Sequence, residues 1–121
     1  MGTYSKIILS GSTDGQGLPL TVTAPSTGLT IHTAVTGAAN SIDEIWTYAH
    51  STVTTAVELN YALGPTTATG SRVVHTITAD DKKGLVLITP GLVARNAKEL
   101  KMWVTTTSLV NVFGYVNRFA T

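Results

Sequence analysis

The chain has 121 residues, of which 43% are hydrophobic and 12% charged, with a net charge of +1 and no cysteine. That length suits a single domain over residues 1–121, and scattered Lys and Arg without a basic stripe argue against electrostatic nucleic-acid binding. The missing Cys removes disulfides, thiolate metal sites and Cys nucleophiles, and no apolar run approaches the ~20 residues needed to span a bilayer. A charged fraction about half the usual ~25% leaves Thr to supply the polarity. Such a surface is prone to self-association and predicts burial against copies or a partner. Met1 to Lys6 carries no signal-peptide pattern, so the expected place of synthesis and residence is the cytoplasm.

Short runs of Val, Ile, Leu and Thr separated by Gly, Pro, Asn, Asp and Ser read as strands with turns roughly every ten residues. Tyr4 to Leu9 is the first predicted strand, followed by a flexible glycine-rich hairpin loop, Ser10 to Gly17. Leu18 to Ala24 is the second, with Pro19 suited to an edge, and Pro25 to Gly28 turns the chain. Leu29 to Val35 places Leu29, Ile31, Thr33 and Val35 on one face and Thr30, His32 and Ala34 on the other. After a loop at Gly37 to Ser41, Ile42 to Ala49 is irregular, because Ile45 falls on the face opposite Ile42, Trp46 and Tyr48. Burial on both sides or a bulge would account for that.

Thr54 to Leu63 alternates cleanly, with Val57, Leu59, Tyr61 and Leu63 inward and Glu58 and Asn60 outward. Arg72 to Ala79 is a further strand. Asp80 to Gly84 is a charged turn into Leu85 to Ile88, an apolar run expected to be a central strand covered on both faces. Pro90-Gly91 opens a connection through Arg95-Asn96-Ala97, where Asn tolerates a left-handed turn position. Glu99 to Thr106 sets Leu100, Met102 and Val104 against Glu99, Lys101 and Trp103. Leu109 to Phe119 sets Leu109, Phe113, Tyr115 and Phe119 against Val110, Val112 and Val116. No segment of helical length has a 3.6-residue period. The expected fold is all-β with little or no helix, an antiparallel β-sandwich resembling a jelly roll.

Catalytic patterns are sparse. The glycine-rich loop lacks the Gly-Lys-Ser/Thr ending of a phosphate-binding loop, and no Gly-x-Ser-x-Gly elbow is present. His32, His50 and His75 lie in separate segments without local zinc spacing and read as partly exposed strand or turn histidines. Asp43 and Glu44 are strand neighbours and point to opposite faces, so they cannot share a substrate. No enzyme activity, metal or cofactor is expected. Trp46, Tyr48 and Phe113 read as core packing. Trp103, on a polar strand face, is either core or the anchor of an interface or sugar platform.

Several stretches, spread over nearly the whole chain, resemble small virion proteins encoded with the head genes of tailed bacteriophages. They are YSKIILSGSTDGQG (4–17), TIHTAV (30–35) followed by DEIWTYAHS (43–51), GLVLITPGLV (84–93) and NVFGYVNRF (111–119). The resemblance implies a capsid decoration, or cement, protein: a β-sandwich that oligomerises, commonly as a homotrimer, on the capsid exterior and clamps the major capsid protein lattice. Its partners would then be the major capsid protein and its own copies, with assembly in the host cytoplasm. The first strand starts at once, a departure from family members with a long N-terminal arm. On this reading Trp103, Tyr115 and Arg118 are the expected interface residues. A glycan-binding module of a head or tail fibre, stacking sugars on Trp103 or Trp46, and a low-copy neck or tail component are the alternative readings.

Overall fold

The computed structural model describes residues 2–21, 28–36, 40–51, 56–64, 72–77, 84–104 and 110–121. Nine strands run through them: β1 (Thr3–Ile8), β2 (Leu18–Leu20), β3 (Leu29–Thr33), β4 (Ile42–Ser51), β5 (Val57–Leu63), β6 (Arg72–Ile77), β7 (Val86–Ala94), β8 (Glu99–Val104) and β9 (Val110–Ala120). There is no helix among the described residues. The expected turns at 25–27 and 80–83, residues 22–24, and the ends of the predicted strands at 54–55, 78–79, 105–106 and 109 lie outside the described residues.

The strands form two antiparallel sheets. One has the order β1-β9-β4-β7, with β2 also paired to β9, and the other has the order β3-β8-β5-β6. Both β1 and β2 run antiparallel to β9, β1 against Tyr115–Ala120 and β2 against Val110–Val112. They are therefore two pieces of one edge strand, and the glycine-rich segment between them is not a hairpin. With β1 and β2 taken together, the eight strands follow the double Greek-key order of a jelly roll.

The core is apolar because the alternation of each strand is kept. Ile45, Ala49, Val110, Val112 and Val116 from the first sheet meet Ile31, Leu59, Leu100, Met102 and Val104 from the second, all with no measurable exposure. On β5 the inward set is Val57, Leu59, Tyr61 and Leu63, as the sequence predicts.

β7 differs from the sequence expectation. It is an edge strand, not a central one, and Leu87 is exposed. It also continues through Pro90-Gly91 instead of ending there. Two register shifts against β4 leave Ile88 and Gly91 as extra residues on β7. Gly91 takes φ +77°, which a glycine adopts without steric cost, and an edge tolerates the missing N–H of Pro90. The irregularity sought in β4 thus sits on its neighbour, while β4 alternates throughout. Thr89 fills the break: its Oγ1 donates to the Ile45 carbonyl at 3.1 Å and accepts the Thr47 N–H at 2.9 Å.

The connection from β7 to β8 is a tight turn in which Asn96 and Ala97 both have positive φ, 59° and 57°, and the Lys98 N–H donates to the Arg95 carbonyl. The left-handed position expected at Asn96 is there, and Ala97 shares it.

The segment from Leu9 to Gly17 leaves the first sheet, docks on β3 of the second and returns. The Gly11 N–H donates to the Ile31 carbonyl at 3.0 Å, and the Thr33 N–H donates to Ser10 Oγ at 2.7 Å. A Cβ on Gly11 would lie 2.5 Å from the Thr30 carbonyl oxygen, so only glycine permits this approach. Instead of a flexible loop, the segment is a fixed strap closing one side of the sandwich, with its tip turned by Asp14 and Gly15 at positive φ.

Candidate interaction face

Period-two alternation on β4 and β9 sorts neighbouring polar residues to opposite sides. Asp43 pairs with Arg118 on the inward face, and one residue further along Glu44 pairs with Asn117 on the outward face. Two constellations result, one buried and one at the surface.

The buried constellation joins the two sheets. A bulge in β3 between Thr30 and His32 turns both Ile31 and His32 inward, so His32 is fully buried and not the partly exposed histidine expected from alternation. Its Nδ1 accepts the Ser10 N–H at 3.0 Å, which places the proton on Nε2, and Nε2–H donates to Asp43 Oδ2 at 2.7 Å. Arg118 grips the same carboxylate with Nε on Oδ1 and Nη2 on Oδ2, both at 2.8 Å, and the Val35 N–H adds a fourth bond at 3.1 Å. Burial works to raise the Asp43 pKa, but the hydrogen bonds and charges of Arg118 and His32 outweigh it and hold the carboxyl below its ordinary value. Burial lowers the pKa of His32 despite the opposing pull of Asp43. Ser, His and Asp meet here, yet this cluster cannot carry out nucleophilic chemistry of the triad type. The imidazole faces the backbone N–H of Ser10, not its hydroxyl, and neither His32 nor Asp43 reaches solvent.

The surface constellation is a row across the outer face of the first sheet. Trp46 and Tyr115 lie stacked, with ring centroids 6.4 Å apart and planes 9° from parallel, and Lys6 Nζ sits 4.5 Å from the centre of the Tyr115 ring. On the β7 side a Cβ at Gly91 would come within 3.2 Å of the Trp46 ring, so the missing side chain makes room for the indole. Trp46 Nε1–H donates to Glu44 Oε1 at 2.6 Å, and Asn117 Nδ2 donates to the same oxygen at 3.1 Å. These two bonds hold the Glu44 carboxyl below its ordinary pKa. Around this row the same face carries Tyr4, Ile8, Leu87, Val93 and Phe119, all exposed, with Tyr4 edge-on to Phe119 at 5.8 Å. Lys6 and Glu44 are the only Lys, Arg, Asp or Glu side chains that the register places there among the described residues.

The aromatics are distributed differently from the sequence expectation. Trp46, Tyr48 and Phe113, expected in the core, are partly exposed on this outer face, because Ile45, Thr47 and Ala49 occupy the inward positions of β4. Trp103 does lie on the outward side of β8, opposite Asn60, but only 2% of it is exposed and Arg72 covers its ring at 5.4 Å. Its ring packs within the protomer and does not offer an interface anchor. Arg118 likewise points inward to Asp43, whereas Tyr115 sits in the outer row. Of the three expected interface residues, only Tyr115 belongs to this face.

Sequence reasoning missed His32, Asp43 and Ser10 as a cluster. The available signal was Asp43 on the same strand face as Ile45, an acid that the core must neutralise. Among the described residues no group of His, Cys, Asp and Glu gathers that could hold a metal ion. Compared with known proteins, the chain matches no family model and no curated relative.

Proposed function

We propose that this chain is a structural virion protein of a tailed bacteriophage, a decoration protein that oligomerises on the capsid exterior and stabilises the major capsid protein lattice. The observation that carries this reading is the outer face of the β1-β9-β4-β7 sheet, where, among the described residues, five exposed large hydrophobic residues surround an aromatic row with a single Lys and a single Glu. An exposed apolar face of this kind is the signature of an association surface. The jelly-roll order adds support at the level of fold analogy, since viral capsid proteins, as well as lectins, use it, and the resemblance of the quoted stretches supplies the phage context. A cement role also suits weak faces, because many copies bound at adjacent lattice sites act together. The homotrimer belongs to this proposal.

The glycan alternative gains little from the same face. Trp103 is buried, which removes one of its two stacking platforms, and Trp46 is already stacked against Tyr115. The test is the copy number of the protein in purified virions, by quantitative mass spectrometry against the major capsid protein. A number comparable to the capsid subunit is expected. A handful of copies would move the protein to the neck, tail or fibre, and absence from particles would overturn the virion reading.

A further inference from the structure

The strap formed by Leu9 to Gly17 is held to β3 by three hydrogen bonds: Gly11 N–H to the Ile31 carbonyl, Thr33 N–H to Ser10 Oγ, and Ser10 N–H to His32 Nδ1. The first two have partners of fixed character. The third depends on a nitrogen that accepts only while it carries no proton. With Nε2–H committed to Asp43, an added proton has only Nδ1 to occupy, 3.0 Å from another N–H. Two donors would then face each other at a part-buried contact whose imidazole side is closed to water, which leaves the new N–H without an acceptor.

We propose that the Ser10–His32 contact is an acid-sensitive clasp, in which protonation of His32 at Nδ1 releases the strap from β3 and uncovers that edge of the second sheet while the sandwich stays closed. Burial favours release over accommodation, against the pull of Asp43. Asp43 of β4 faces Nε2 and is already neutralised by the two hydrogen bonds from Arg118 of β9, whose positive charge opposes a second cation on the imidazole. β8, paired to β3 at Leu100, brings no compensating acid. Its Glu99 and Lys101 pair with each other at 3.5 Å, and Leu100 is the residue it turns inward. The strap contributes Ser10 and its backbone. Once Ser10 moves away, water reaches Nδ1 and the imidazolium is hydrated. The β4–β9 pairing does not depend on the strap, since Asp43 keeps Arg118.

The experiment is amide hydrogen exchange of the full chain by NMR between pH 7.5 and 4.5, corrected for intrinsic rates, with the His32 ring shifts followed in parallel. The expected result is loss of protection at Ser10, Gly11 and Thr33, reaching about tenfold per pH unit below the ordinary histidine value, at protection levels that stay well below those of Ile45 and Val116, whose exchange requires global unfolding. In His32→Asn, whose Oδ1 takes the place of Nδ1 as an acceptor that does not titrate, that pH dependence should vanish. Protection of the strap that is flat with pH, or that equals the protection of Val116 throughout, would overturn the proposal. So would an unchanged pH slope in His32→Asn. If that variant does not fold, the wild-type comparison of Gly11 with Val116 decides by itself.

Discussion

Asp43–Arg118 and Glu44–Asn117 are consecutive pairs on the same two strands, and a shift of one residue separates an ion pair on a fully buried carboxylate from a hydrogen bond at the surface. Inside, Asp43 has no exposure and four donors converge on it. Outside, Glu44 accepts two bonds and is open to water. The chemistry of the acids is nearly the same, so the difference in consequence comes from the medium. In the low-dielectric interior, losing one partner leaves an uncompensated charge, whereas at the surface water replaces it. The inner pair therefore bears on folding, and the outer one shapes a face.

The largest effect should come from Asp43→Ala, which strands the Arg118 guanidinium, the His32 Nε2–H and the Val35 N–H together. A loss of about 3 kcal/mol is expected, the low end for breaking a buried pair because the Arg118 side chain keeps partial access to water, read as a fall in the urea midpoint at unchanged slope. A loss under about 1 kcal/mol would mean that the inner pair behaves like the outer one, and the contrast would fail.

Close behind is Gly114→Ala, which tests the register that sorts the two pairs. Gly114 faces Thr47 between the β4 and β9 backbones, and a Cβ there would run into the Trp46 carbonyl oxygen and come within 3.2 Å of Leu9. Forcing those strands apart should cost about 3 kcal/mol and disturb both constellations at once, visible as a change in near-UV circular dichroism from Trp46. A variant with native stability and an unaltered spectrum would show that the close approach is not what sets the pairing.

pH separates the inner network's two titrating groups. His32 has a native pKa below its ordinary 6.5, so between those two values the unfolded chain binds a proton that the native state does not. Stability is then complete above 6.5 and falls by up to about 1.4 kcal/mol per pH unit as the pH drops towards the native value. Asp43, held below its ordinary 3.8, contributes stability that is complete above 3.8 and drains away only at lower pH. Chemical denaturation across pH 8 to 3 should show the first loss in the wild type and not in His32→Asn. A flat profile from 7 to 5 would contradict the buried, neutral imidazole.

The frame of this molecule was legible where alternation rules. The strands from Val57 to Leu63 and from Glu99 to Val104 have the inward sets their period-two patterns require, and the opposed directions of Asp43 and Glu44 followed from the same rule. What escaped was set by contacts between residues distant in sequence. A bulge at Ile31 reverses the side of His32. Gly91 and Thr89 carry one edge strand from Val86 to Ala94, where the sequence reads a core run ending at Ile88 and a connection from Pro90. The strap from Leu9 to Gly17 reads as an ordinary loop until β3 is placed beneath it. Trp46 was misread and Trp103 left open for a related reason: alternation says which side of a sheet a ring occupies, but not whether that side is covered.

The smallest effect on folding belongs to the outer pair, and there the contrast is sharpest. Glu44→Gln keeps the side-chain shape and an acceptor for Trp46 Nε1–H, and at a solvated position it should leave the urea midpoint unchanged within error. What changes is charge on the outer face, where Lys6 then remains as the single formal charge among the described residues. If that face is the association surface, Glu44→Gln should alter the concentration dependence of oligomer formation or capsid binding, measured by sedimentation velocity and particle pull-down, and Trp46→Ala should weaken both. Unchanged association in both variants would separate the aromatic row from the interface and point to another face of the sandwich.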